Sequence, residues 1–232
     1  MITFKQFLNE SESSTEMAKY IESHCKPFLD ESKRKGLLFR GIGTFAQSGE
    51  FNLPGLTDAI PFAIITPRVD RQPRNMPKKF HTLIDDWFKD KFGLKARSAG
   101  VFAFGVKSSN TAAGYAASSN KGQGGFACVI FPIGPFKYVW SPEALDLYTN
   151  FIKADYIIQD GENESEIDVQ KFHRYLETLD YKSTDLSAAL KTGNEIMLVC
   201  DKYLALSVPI KSTLREPYVK AIASELGINI SR

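Results

Sequence analysis

The chain has few residues that could act as covalent or metallic staples. Its 232 residues include three cysteines, Cys25, Cys128 and Cys200. An odd number without paired spacing argues against a disulfide framework or a cysteine zinc site, and it fits a reducing compartment. Histidine is equally scarce, at three. His24 adjoins Cys25, so on a helix the two point apart and form no nucleophile pair. His81 and His173 have no partners at metal-ligand spacing, so no metal is expected. No apolar run approaches the roughly 18 residues of a membrane span. The opening residues carry Lys5 and Glu10 and no long apolar stretch, so they do not read as a secretory signal. An excess of one charge is also missing. Lys and Arg number 29 against 27 Asp and Glu, a formal +2. That does not suggest a bulk nucleic-acid coat, but it leaves room for a local basic stripe. "GYAASSNKGQGG" lacks the Lys–Ser/Thr ending of a phosphate loop and reads as a flexible hairpin or cleft loop.

What is present is ordinary for a globular protein: 43% hydrophobic and 24% charged residues. The length suits one large domain or two small ones and can bury a full core. Residues 15–35 read as a helix kinked at Pro27. Leu37–Arg40 reads as a strand ended by Gly41 and Gly43, and residues 42–60 as a loop. "PFAIITP" reads as a short buried strand and "RVDRQPRN" as an extended connector. "MPKKFHTLIDDWFKDKFG" is a helix with Asn75 as N-cap, Pro77 in its first turn and Gly93 at its end. "SAGVFAFGV" is a strand, followed by a short small-residue helix around Tyr115. "FACVIFPI" and "FKYVW" are two strands. Helices are expected over 142–152 and 167–179. "NEIMLVCDKYLALSV" reads as a hairpin turning at Asp201 and Lys202, and a last helix covers 215–226. Strands interrupted by helices of unequal length favour an α+β domain with a split, mixed or antiparallel sheet and flanking helices.

Three strands carry unusual residues. Arg40 ends a strand otherwise made of Leu and Phe. It is either a snorkelling cation at a sheet edge or an anion clamp presenting a planar donor fork. Ser98 begins the strand "SAGVFAFG"; it is a turn former, or a site residue if it shares a cleft with Arg40. Glu195 opens the apolar strand "EIMLVC". Glutamate is disfavoured in strands and costly to bury without partners, so it sits at a strand mouth in water or serves a site.

In the stretches "LFRG", "RSAGVFAFGVKSSNTAAGYA" and "GNEIMLVCDKYLALS", the order Arg–Gly, Ser, Glu resembles the ADP-ribosyltransferase fold of the Arg–Ser–Glu class, over about residues 36–210. The resemblance implies three strands lining one cleft that holds NAD as substrate, a transferase of the glycosyltransferase class. Arg40, Ser98 and Glu195 would be catalytic, and Arg40, Gly41, Ser98 and Tyr115 would bind NAD. Glu195 would stabilise the positive charge that develops on the ribose. Arg40 would meet the diphosphate and Ser98 would orient a ribose. Tyr115 would offer a face to a ring, or else simply pack in the core. The family's usual middle motif Ser–Thr–Ser is here Ser98–Ala99–Gly100. Gly193 stands where arginine-modifying members carry Glu or Gln. The acceptor is thus left open among other protein side chains, nucleic acid and water.

Met1, Phe4, Phe7 and Leu8 of "MITFKQFLNE" fall at helical spacing and give one apolar face. The segment resembles the capsid-targeting sequences of internal head proteins of T-even-like tailed phages. That implies a packaging tag over 1–10, cut after Glu10 by the phage prohead protease, ahead of a transferase-like domain over 11–232. "SESSTE" would be an exposed polar spacer, as a protease needs. The alternative is an ordinary first helix packed on the core. Arg68, Arg71 and Arg74 would line one side of a polyproline-like connector and grip phosphate, or stay solvated. Both resemblances together imply a phage-encoded NAD-dependent mono-ADP-ribosyltransferase, carried in the phage head and acting in the host cytoplasm on a host protein or nucleic acid. The alternative is a non-catalytic internal head protein that binds DNA or inhibits a host defence protein.

Overall fold

The computed structural model describes residues 4–42, 62–73, 76–105, 107, 126–147, 149, 169–208 and 216–230. Tyr115 and the helix expected around it, Arg74, Asn75, Gly43 and nearly all of the 42–60 loop lie outside these residues, as do 148 and 150–152 of the helix expected over 142–152.

Helix α1 spans Phe4–His24 and α2 spans Lys26–Glu31. Met17, Ile21, Cys25, Phe28 and Leu29 recur at three- and four-residue intervals and are fully buried. Pro27 has no amide hydrogen, so it fits the first turn of α2 while ending the hydrogen-bond ladder of α1. The helix begins well before the expected residue 15. "SESSTE" is helical, with Ser13 and Ser14 buried and Glu12 and Glu16 exposed, so only one side of it faces water. This happens because α1 lies against the C-terminal helix, which covers that face.

Helix α3 spans Lys78–Phe92. Phe80, Ile84, Trp87 and Phe88 form its buried stripe. Pro77 occupies the N-cap and not the first turn. Gly93 ends the helix with φ +68, a left-handed conformation that glycine adopts without strain, and its amide donates to the Lys89 carbonyl. Helix α4 spans Val169–Thr178, the short α5 Leu186–Ala189, and α6 Pro217–Glu225. Pro142–Asp146 is not helical; Leu147 and Thr149 are.

Five strands form the sheet: β1 Leu38–Ile42, β2 Phe62–Ile65, β3 Val101–Phe104, β4 Phe126–Trp140 and β5 Glu195–Val208. Their order is β2-β5-β3-β1-β4, and every described pairing is antiparallel, so the mixed alternative falls away among these strands. The fold is therefore α+β with an antiparallel sheet and flanking helices. β4 also pairs with β5 along most of its length, so β5, β3, β1 and β4 close a ring of pairings. The seam is between β1 and β3, which meet at one pair, Phe39 with Phe104.

Two sequence expectations fail here. "FACVIFPI" and "FKYVW" are one strand, interrupted only by a register shift between Ile133 and Phe136 around Gly134, at φ +69. "NEIMLVCDKYLALSV" is also one strand and not a hairpin. Asp201 and Lys202 carry the turn-like polarity, but they are an exposed step in a strand whose two halves pair with β3 and β2.

Alternation along the strands feeds two apolar clusters. Tyr138, Trp140, Ile196 and Leu198 join the larger one with α1, α2 and α6. Val139 and Met197 join a second one with α3 and α4. Each large side chain fully buried in these clusters contributes roughly 1.5–3 kcal/mol.

Candidate functional site

The second cluster opens toward a group of charges centred on Phe102. Phe102 lies on β3 opposite Met197, and Phe104, two residues on, lies opposite Glu195. Period two puts Phe102 and Glu195 on the same face of this strand pair.

Glu195 is half-buried at the start of β5. Its amide donates to the Leu145 carbonyl at 2.8 Å, and its Oε2 accepts from the Leu147 amide at 3.3 Å. Burial pushes its carboxyl up to about 7; the Arg97 charge and the Leu147 amide oppose this. Asp146 adds to the rise, and Arg71 opposes it more weakly. Tyr181 is buried close by, and burial followed by the charges of Glu195 and Asp146 keeps its phenol protonated.

Ser98 lies three residues before β3, in a turn and not at the strand start. Asp85, buried on α3, accepts from the amides of Arg97 at 2.7 Å and Ser98 at 3.0 Å. The Ser98 carbonyl accepts from the Arg71 amide at 3.1 Å. One carboxylate thus fixes the whole turn, as a carboxylate can by accepting several backbone donors. Gly100 is required for the same turn, since a Cβ there would lie 1.9 Å from the Ala96 carbonyl oxygen. His81, one helical turn before Asp85, has both ring nitrogens buried, with no well-formed hydrogen bond to either among the described residues. Burial holds its pKa below the ordinary value, so the 3.8 Å approach of Nε2 to Asp85 joins a neutral ring to a carboxylate at neutral pH.

Arg40 stands in the middle of β1, not at its end, and Gly41 continues the strand opposite Ala127. Arg40 Nη1 donates to the Phe102 carbonyl at 2.8 Å, a bond that spans the seam between β1 and β3. Its Nε is buried and has no hydrogen-bond partner among the described residues.

Arg71 and Arg97 complete the group. Arg71 lies 5.0 Å and Arg97 5.1 Å from the centre of the Phe102 ring, within cation–π range. Arg71 Nη1 also donates to the Gly100 carbonyl at 2.7 Å. Burial, then the like charges of Arg40 and Arg97, bring the Arg71 pKa down to about 10. Arg97 Nε is buried and has no hydrogen-bond partner among the described residues.

Of the expected basic stripe, Arg68 and Arg71 are described, and they do not share a side. Arg71 turns inward, whereas Arg68 stands in water with only a loose 3.9 Å approach to Asp70. The connector folds back against the Ser98 turn, so residues spaced by three need not share a side.

Of the three expected site residues, Arg40 meets the group through Phe102, Ser98 through the backbone of its turn, and Glu195 through the Arg97 and Arg71 charges. No direct contact joins the three to one another among the described residues. Sequence reasoning missed Arg97, Phe102 and Asp85. Arg97 adjoins Ser98, and Asp85 is an acidic residue on the apolar face of α3; both were signals. Among the described residues no group of three or more His, Cys, Asp or Glu could hold a metal ion. No described helix is long and apolar enough to cross a membrane.

The chain matches no protein-family model, no curated protein and no solved structure.

Proposed function

We propose that this chain is an NAD-dependent mono-ADP-ribosyltransferase of a phage, carried in the head and acting on a host protein or nucleic acid, with Glu195 as its central group. The observation that carries this reading is a half-buried carboxylate at a strand start, set beside crowded guanidinium groups. The guanidinium groups of Arg71 and Arg97, gathered on the Phe102 ring, suit a polyanion such as the diphosphate of NAD. NAD, when bound, would supply an ADP-ribosyl group whose bond to nicotinamide breaks with the electron pair leaving on nicotinamide.

The chain's own part is electrostatic. Ionised Glu195 faces the positive charge that grows on the ribose, in a site where protein has displaced water. A carboxyl group near 7 also suits accepting the proton that the attacking acceptor gives up. The Leu145–Leu147 backbone fixes the carboxylate's place. The ten opening residues support the phage part through their resemblance to capsid-targeting sequences.

The test is NAD turnover, with and without host lysate. Glu195→Gln should lower turnover by about a hundredfold or more, the range for losing one electrostatic stabiliser. NAD affinity should change far less. Equal losses in both would make Glu195 a binding or folding residue. A second reading, the non-catalytic head protein that binds DNA or inhibits a host defence protein, is favoured by one observation. Arg40 is engaged in closing the β1–β3 seam, a structural duty. Wild-type protein that leaves NAD intact but binds DNA would establish that second reading.

A further inference from the structure

We infer that Arg71 and Arg97, held against the Phe102 ring, form the recognition site for a diphosphate group, and that Arg40 is a strand staple rather than the anion clamp. The inference rests on the transferase reading for the identity of the dinucleotide, but its geometry stands apart from that reading.

Arg40 has a sufficient structural task. β1 and β3 meet at a single residue pair, and the Arg40 Nη1 bond to the Phe102 carbonyl is a second link across that gap. This bond ties one strand to another across the gap, whereas the Arg71 Nη1 bond to Gly100 joins the 66–73 connector to the segment before β3.

Arg71 and Arg97 are placed differently. Both project from segments without regular structure, the 66–73 connector and the turn before β3. Both are positioned through the backbone. The Arg71 amide and its Nη1 are tied to the Ser98 and Gly100 carbonyls, and the Arg97 amide is tied to Asp85. The aromatic ring gives both guanidinium groups a shared support. Two like charges gathered on one ring, with a third nearby, repel one another, and burial adds to that cost. A bound dianion would relieve both terms. Two planar donor groups gathered on one ring match the spaced oxygens of a diphosphate better than a single phosphate. Glu195 lies on the same face of the β3–β5 pair, so an anion at Phe102 would leave an attached ribose on the carboxylate's side.

Calorimetric titration of the full chain tests this with two probes, inorganic pyrophosphate and ADP-ribose. Arg71→Gln and Arg97→Gln should each weaken pyrophosphate binding by about tenfold or more, as expected for loss of a charged hydrogen-bond donor. Their thermal midpoints should not fall. Arg40→Gln should keep pyrophosphate affinity within about threefold and lower the midpoint, because the seam loses its staple. Two results would overturn the inference: wild-type protein that takes up no pyrophosphate at low salt, or Arg71 and Arg97 variants that bind like wild type. Pyrophosphate bound but ADP-ribose refused would keep the anion site and sink the transferase reading instead.

Discussion

Arg34 and Arg71 each donate to a backbone carbonyl, Arg34 to Leu226 and Arg71 to Gly100, yet their surroundings are opposite. Arg34 joins α1 to the end of α6. Its fork meets both oxygens of Glu22, the closest at 2.8 Å, and that pairing raises its pKa. Among the described residues Arg71 has no such ion pair. The charges that bear on it most are those of Arg40 and Arg97, and its pKa falls. One arginine is satisfied and fastens two helices. The other is held by the backbone in a region where its charge is a burden to the isolated protein. A fold keeps the second kind of arrangement at a cost in stability, which is typical of binding sites.

The largest difference between the two regions should appear on titration. Glu195 on the crowded side has its folded pKa raised to about 7 from an ordinary value of 4.5. The folded state therefore holds this proton more tightly than the unfolded chain. Its contribution to stability is full below about pH 4.5 and is lost as pH rises through about 7. The thermal midpoint of the wild type should fall relative to Glu195→Gln by on the order of 5 °C between pH 5 and pH 8. Parallel midpoints across that range would remove Glu195 from the buried site.

A smaller effect should separate the two arginines directly. Arg34→Gln should lower the midpoint by roughly 2–4 °C, since a partly exposed ion pair and one carbonyl bond are lost. Arg71→Met should leave the midpoint level or raise it, because a repelled, half-buried cation gives way to an apolar chain of similar reach. A drop for Arg71→Met larger than for Arg34→Gln would invert the comparison.

The smallest effect concerns where the fastened region ends. Met17 and Ile21 are fully buried in α1, and Ser13 and Ser14 are nearly so. A chain beginning at Ser11 keeps all four. Its midpoint should stay within about 2 °C of the full chain, as a packaging tag requires. A core helix would lose roughly 1.5–3 kcal/mol for each of Phe4, Phe7 and Leu8, and a fall of many degrees would refute the tag. Because α1 is continuous through Glu10, cleavage there would need a local opening of its first turns.

Helices with strong apolar stripes and clear stop signals were legible from the sequence: α3 with Gly93, α4, α6 and the kink at Pro27. Their information is local, carried by residues three or four apart. The strands were legible as apolar runs, but their continuity was not. Gly134 and the Asp201–Lys202 pair look like turns, and turn chemistry is a local signal. What keeps both chains extended is the ladder between β4 and β5, a pairing of residues some 60 to 80 positions apart.

The site divides in the same way. The sequence by itself marked Arg40, Ser98 and Glu195, because a cation, a hydroxyl and a carboxylate stand out in apolar strands. It could not assign them work, since a side chain's role depends on which neighbours reach it. Only the tertiary structure turned Arg40 to the Phe102 carbonyl, folded the 66–73 connector back so that Arg71 points inward, and set Asp85 under the Ser98 turn. Those three contacts join residues 62, 27 and 13 positions apart. Composition and periodicity act over a few residues, whereas electrostatics and hydrogen bonding act through space, so the charge cluster around Phe102 exists only once the chain has closed its ring of strands.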